Sequence, residues 1–240
     1  MFNKRKIFIL VFLITLIVSV FPISSTYAAR QIPRINDWVM DSKGKPIVAG
    51  KKYILLTDQN YGGPNFGLSY ETSARTHYPI VYTQKKYYDP PMKIENIDYY
   101  GTPVIFYLKD GNNANPAAGN RRIGNTDKIS MYMTGINKYI KAPDRGWISF
   151  TSNKNDASFM TVEKTGPNKV RLHTGKADFY HDAQGKHTDW YGANDKNSYK
   201  DADTYFTVQQ SFLAGSDNNK MWGLSWRYPT YNYYFVPVEN

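Results

Sequence analysis

The chain has 240 residues, with 30 Lys+Arg against 20 Asp+Glu and a formal net charge of +10. A hydrophobic share of 41% and an aromatic share of 16% can build a packed core, which excludes an intrinsically disordered chain. The absence of cysteine excludes disulfide scaffolds, Cys-ligated zinc, iron–sulfur clusters and a cysteine nucleophile, while 13 Pro, 17 Gly and 21 Tyr argue against a helical bundle.

At the start of the chain, Lys4, Arg5 and Lys6 precede an apolar run from Ile7 to Phe21, followed by Ser24-Ser25-Thr26-Tyr27-Ala28. A charged head, a short greasy run and small residues read as a secretory signal peptide cleaved near Ala28. The run falls short of the roughly 20 apolar residues that a spanning helix needs. Residues 29–240 are therefore expected to be one secreted domain, with no membrane insertion of the mature chain. The basic pairs Lys51-Lys52, Lys85-Lys86 and Arg121-Arg122 are isolated rather than gathered in a stripe, so no nucleic-acid partner is expected. The positive charge suits solubility and attraction to anionic cell-surface polymers or acidic proteins.

Downstream, short alternating runs bounded by Gly, Pro, Asn and Asp predict strands at Asp37–Asp41, Lys52–Thr57, Phe66–Tyr70, Pro79–Gln84, Met92–Glu95, Val104–Leu108 and Lys128–Met133. Further strands are predicted at Lys138–Ala142, Trp147–Thr151, Phe159–Lys164, Lys169–Thr174, Ala177–Asp182, Tyr205–Gln210, Met221–Trp226 and Tyr233–Val238. No window carries a helical stripe. The fold class is all-β. Long loops are expected around 110–127 and 193–204.

Four-strand units recur along the chain. One starts at Lys52-Tyr53-Ile54-Leu55, a second at Lys138-Tyr139-Ile140-Lys141 and a third at Asp178-Phe179-Tyr180, with Phe159 and Phe206 marking a common mid-unit strand. Three such units predict a β-trefoil, a closed six-stranded barrel with a hairpin cap and no exposed sheet edges, here without disulfides. A two-sheet sandwich is the alternative.

The segment Val39-Met40-Asp41-Ser42-Lys43-Gly44-Lys45-Pro46-Ile47, followed by Tyr53-Ile54-Leu55, resembles the opening of the plant-type (legume) Kunitz trypsin inhibitors. Asp41 and Gly44 suit an Asx-type turn that reverses the chain. The resemblance continues through Pro79-Ile80-Val81-Tyr82-Thr83-Gln84 and Gly101-Thr102-Pro103-Val104-Ile105-Phe106, placed as the family's fourth and fifth strands, and through the closing Tyr233–Val238. It implies a β-trefoil that binds a protease through surface loops. Lys43 stands where the family prefers an acidic residue, Asn or Thr. Trypsin-directed members carry Arg or Lys just before the fifth strand, whereas this placement puts Thr102-Pro103-Val104 there, which argues against trypsin inhibition through that loop.

Enzyme signatures are missing: there is no G-x-S-x-G elbow, H-E-x-x-H pair or phosphate-binding glycine loop, so no catalytic residue and no cofactor is expected. His181 and His187 beside Asp182 and Asp189, and the acidic run Asp195, Asn197, Asp201 and Asp203, read as polar surface rather than as metal sites. The best binding segment is the loop Lys85, Lys86, Tyr87, Tyr88, Asp89, Pro90, Pro91, Met92 and Lys93, together with Thr102, Pro103 and Val104. Tyrosines give large contact area, and consecutive prolines stiffen a loop before it meets a partner. The expected partner is a protein, a secreted protease among the candidates. The second candidate is a carbohydrate or receptor surface, as in lectin- or toxin-like modules, built from Trp190, Tyr191, Trp226, Tyr228 and Tyr231 for a cell-surface glycan. The Gln-x-Trp motif of ricin-type lectins is absent, and Trp222, Leu224 and Trp226 alternate as core residues do.

Overall fold

A computed structural model describes residues 37–58, 63–72, 77–82, 84–87, 90–110, 113–114, 121–179, 199–210, 220–227 and 232–238. All of them belong to one compact unit, residues 33–240. The signal-peptide expectation for residues 1–28 lies outside the described residues.

The first stretch of strands comprises β1 (Lys52–Thr57), β2 (Ser69–Thr72), β3 (His77–Tyr82), β4 (Met92–Ile94), β5 (Ile97–Tyr99) and β6 (Val104–Asp110), with β7 (Asn113–Ala114) folded back on β6. The second comprises β8 (Lys128–Met133), β9 (Lys138–Lys141), β10 (Gly146–Trp147), β11 (Ser149–Thr151) and β12 (Met160–Gly166). The third comprises β13 (Lys169–Phe179), β14 (Tyr199–Gln210), β15 (Lys220–Trp226) and β16 (Tyr233–Pro237). Antiparallel pairing runs β1–β6, β6–β8, β8–β12, β12–β13, β13–β16 and back from β16 to β1. That circuit closes a six-stranded barrel. Each unit gives its first and last strands to the barrel and its middle strands to a cap, where β15 pairs with both β3 and β10. The fold is a β-trefoil.

Closure explains the alternation in the sequence. Leu55, Phe106, Met131, Val162, Leu172 and Phe235, one from each barrel strand, are buried in a common core. Aromatic rings fill its middle: Phe106 meets Phe235 edge-on at 5.2 Å, and Tyr53 meets Phe235 edge-on at 6.2 Å. Tyr233 stacks on Phe206 at 5.4 Å and donates its hydroxyl to the Phe206 carbonyl at 3.1 Å, tying the last barrel strand to the cap.

The phase of the repeats differs from the expected one. The second unit begins at Lys128 and the third at Lys169, so Met160–Gly166 closes a unit, whereas Phe206 lies on the second strand of its unit. Phe159 and Phe206 are not equivalent. Hydrophobic spacing cannot distinguish a barrel strand from a cap strand, because β1 in the barrel and β15 in the cap both bury consecutive residues. Val104–Asp110 likewise closes the first unit as its barrel strand, and the fifth trefoil strand is Lys128–Met133 rather than the segment after Gly101.

The expected strand at Asp37–Asp41 is a meander of single bridges, Trp38 with Gly124 and Met40 with Pro46. The expected turn is present. Asp41 is buried, its carboxylate accepts the Lys43 and Lys45 amides at 2.9 Å, and Gly44 takes a φ of 72°. The expected loop 193–204 is strand from Tyr199 onward, paired with β13. Within the expected loop 110–127, Asn113–Ala114 pair with β6, Ile123 is fully buried and Val48 bridges Arg122.

β1 is apolar without interruption because both its faces are covered. Tyr53 and Leu55 face the core, while Ile54 and Leu56 pack outward against Ile94 and Val236, flanked by Met92 and Tyr99. The β4–β5 hairpin thus lies on the outer wall of the barrel. Its turn puts both Glu95 and Asn96 at positive φ, 49° and 65°, as a two-residue I′ turn requires. Lys43 bonds Glu95 at 2.6 Å across the hairpin tip.

Two outcomes follow from this packing. Tyr53 is 2% exposed, and burial, opposed by the Val48 amide and aided by the Asp41 carboxylate, raises its phenol above the ordinary value near 10. A phenol that ionises harder when folded contributes stability fully below about pH 10 and loses it as pH rises through its folded value. The melting temperature should therefore fall above about pH 10 in step with a delayed tyrosine absorbance change; a flat melting temperature up to pH 11 would contradict this. Second, Ile94→Asp should cost about 2–4 kcal/mol in urea unfolding and raise hydrogen exchange first in residues 92–99.

Candidate functional site

The loop after β3 leaves the cap at Tyr82 and forms a single 3-10 turn at Lys85–Tyr87. Lys85, Lys86 and Pro90 are exposed, Pro91 is half-buried, and the chain then enters β4. The segment is fixed at both ends: β3 pairs with β2 and β15, and Met92 packs under the hairpin against the barrel wall. Met92 is accordingly an anchor, while Lys93 on the opposite side of the strand is exposed. Tyr88 and Asp89 lie outside the described residues, as does the side chain of Tyr87.

Beside this turn is a pocket of about 380 Å³ between Gly63–Phe66, Lys85, Asp98 and Tyr100. Its floor is the stacked pair Phe66 and Tyr100, with centroids 5.0 Å apart and planes 20° apart. The backbone sets that stack, since Gly67 donates to the Tyr100 carbonyl at 2.6 Å and Tyr100 donates to the Asn65 carbonyl at 2.9 Å. The Lys85 ammonium lies 5.5 Å from the centre of the Tyr100 ring. A cation and a carboxylate thus rim an aromatic floor, an arrangement able to take an amphipathic side chain.

Thr102, Pro103 and Val104 are not part of that surface. Thr102 donates its amide to the Leu68 carbonyl and shares a hydroxyl contact with Ser69, both at 2.9 Å. The Pro103 carbonyl accepts both the amide and the hydroxyl of Thr134, and Val104 is 0% exposed in the barrel core. A segment tied this tightly cannot enter a partner's cleft. The stretch that does precede the fifth trefoil strand carries Arg121-Arg122. Arg121 accepts the Ala49 amide, and the Arg122 guanidinium stacks 4.1 Å over Trp38, so both are held against the barrel.

Among the second set of candidates, Trp226 is 9% exposed and packs with Leu224, Ala177 and Ala202, so it offers no face to a sugar. Trp190, Tyr191, Tyr228 and Tyr231 lie outside the described residues, as do His181, Asp182, His187, Asp189, Asp195 and Asn197. Asp201 and Asp203 both face Lys176, at 3.1 and 4.0 Å, and Asp203 also lies 3.1 Å from the His173 ring nitrogen. The Asp201 carboxylate raises the Lys176 ammonium, which stays charged. Among the described residues, no group of three His, Cys, Asp or Glu could hold a metal.

Two aromatic clusters went unmarked in the sequence. Trp222 meets Tyr78 at 5.6 Å and Trp147 at 6.3 Å, joining β3, β10 and β15. Tyr107, Tyr132 and Tyr139 gather on β6, β8 and β9 with centroids 4.9–6.5 Å apart. Neither is local in sequence; strand register brings each together.

No protein-family model matches the sequence, and no curated protein matches it. Solved structures do. The binding domain of botulinum neurotoxin serotype G superposes with a TM-score of 0.51 at 12% identity, over 86% of this chain; the match spans 47% of that domain, about half its length. Trypsin inhibitor 1 from Senna obtusifolia gives 0.50 at 13% identity, over 85% of this chain and 99% of the inhibitor. The bifunctional alpha-amylase/subtilisin inhibitor of rice, Oryza sativa, gives 0.50 at 15% identity, over 84% and 99%. At such identities the likeness concerns the fold. The resemblance to Kunitz-type inhibitors, first seen in short segments, therefore extends to the architecture of nearly the whole chain, a β-trefoil shared with inhibitors and toxin binding domains.

Proposed function

We propose that this protein is a secreted, non-enzymatic binding module that docks a protein partner, a protease in the leading reading, through the Lys85–Pro91 turn and its adjoining pocket. One observation carries the proposal: the exposed, lysine-bearing turn Lys85–Tyr87 lies between the cap strand β3 and the strand β4, whose Met92 packs on the barrel wall, without a sulfur cross-link. A turn anchored at its flanks loses less entropy on binding than a free chain. The Phe66–Tyr100 floor beside it can receive one partner side chain while Lys85 and Lys86 face an acidic rim. The inhibitors among the structural neighbours support a protease as partner, and the toxin binding domain supports the second reading, a receptor. The leader at residues 1–28 supports export; sequencing the exported protein should find Ala29 first, and an intact Met1 would refute cleavage.

The test is a panel of secreted serine and cysteine proteases with purified protein at micromolar concentration. Inhibition of at least one is expected, and Lys85→Ala/Lys86→Ala should weaken it by at least about thirtyfold with an unchanged melting temperature. No inhibition across the panel would refute the protease reading, and unchanged inhibition by the double variant would refute the site.

A further inference from the structure

Strand register places five residues in one continuous row that runs from the barrel strands β1, β6 and β8 onto β9 and β11. Lys52 on β1 opposes Ile105 on β6, Ile105 opposes Tyr132 on β8, Tyr132 opposes Tyr139 on β9, and Tyr139 opposes Thr151 on β11. Their strand neighbours Tyr53, Val104, Phe106, Met131, Met133 and Ile140 are buried in the core, so the row is on the outer face. At a strand spacing near 4.8 Å, the row is about 19 Å long. Tyr107, two positions beyond Ile105, adds a third ring, 6.5 Å from Tyr132 and 6.1 Å from Tyr139.

The chemistry of this face is uniform. All three tyrosines are partly exposed, and each brings a ring and a hydroxyl. Tyr132 donates its hydroxyl to Asn137 at 3.1 Å, and Thr151 ends the row with another hydroxyl. Burial first, then the neighbouring phenols, raise the hydroxyls of Tyr107 and Tyr139, which keeps them protonated and able to donate. Lys52 stands at one end of the row, and Lys128, two residues before the Ser130 that faces Tyr107, stands on the far side of Tyr107, so the two lysines flank the tyrosines from different sides; both are exposed. The ion pairs of the described residues join other lysines, Lys43, Lys176 and Lys220, and neither Lys52 nor Lys128 takes part in one.

We propose that this outer face binds an acidic oligosaccharide, with sugar rings lying on Tyr107, Tyr132 and Tyr139 and carboxylate or sulfate groups meeting Lys52 and Lys128. A sugar offers apolar C–H faces to aromatic rings and hydroxyls to hydroxyl-tipped side chains. The tyrosine rings meet one another at 45°, 63° and 69° rather than lying in parallel, which suits puckered rings better than flat bases. Two lysines uncompensated by carboxylates select an anion. This site is separate from the Lys85–Pro91 turn, so either can fail alone.

The probes are a carboxylated oligomer (oligogalacturonate), a sulfated one (heparin oligosaccharide), a neutral dextran of similar length and a single-stranded oligonucleotide, each titrated into the full chain. At least one acidic oligosaccharide should bind, with dextran and the oligonucleotide at least about tenfold weaker. Tyr132→Ala/Tyr139→Ala should weaken binding about tenfold or more at unchanged net charge. Should that variant lose its fold, Tyr132→Phe/Tyr139→Phe keeps the rings, and loss of the hydroxyls should still cost about threefold or more. Lys52→Gln/Lys128→Gln should weaken binding and flatten its salt dependence, while Lys45→Gln/Lys176→Gln, with the same charge change, should stay within about twofold. Equal binding of dextran, preference for the oligonucleotide, or affinity that tracks net charge alone would overturn the proposal.

Discussion

Barrel closure between the first and last strands is the constraint on which the structure depends. β1 and β16 pair over the full length of β1's apolar run, from Tyr53 opposite Pro237 to Thr57 opposite Tyr233. The contact is sealed from inside by Tyr53, Phe106 and Phe235 and from outside by Ile54, Ile94 and Val236. Closure satisfies backbone groups that would otherwise be open edges. It does so with hydrogen bonds and aromatic packing alone, since the chain has no cysteine.

From closure follows the rigidity of what is mounted on the barrel. The β4–β5 hairpin clips to the outside of the β1–β16 pair, and the Lys85–Tyr87 turn is suspended between that clip and the cap strand β3. The tyrosine face depends on closure in part: the β6–β8 barrel pairing sets Ile105 beside Tyr132, while the β8–β9 pairing outside the circuit aligns Tyr132 with Tyr139. Both proposed surfaces are thus set by strand pairing, one between β3 and β4 and one across β6, β8 and β9.

Much of this was legible locally. Short apolar runs such as Lys52–Thr57, Lys128–Met133 and Tyr233–Val238 contain barrel strands, and Asp41 with Gly44 announces its turn within four residues. Properties that depend on distant partners were not legible. Val104 reads as a loop end until Thr134 is seen to capture the neighbouring Pro103 carbonyl. The phase of the repeats is hidden because barrel and cap strands share one spacing, and only the β8–β12 and β13–β16 pairs reveal which strands close the barrel. Tyr107, Tyr132 and Tyr139 are separated by many residues and join only through two ladders.

Native-state hydrogen exchange tests closure most directly. If the first and last strands seal the barrel, the paired amides of Ile54–Leu56 and Tyr234–Val236 should be among the slowest to exchange. They should open only in the global unfolding transition, with a denaturant dependence equal to that of whole-molecule unfolding. Fast exchange of either strand while the β6–β8 pair stays protected would show an open sheet, and the account of both surfaces would fall with it.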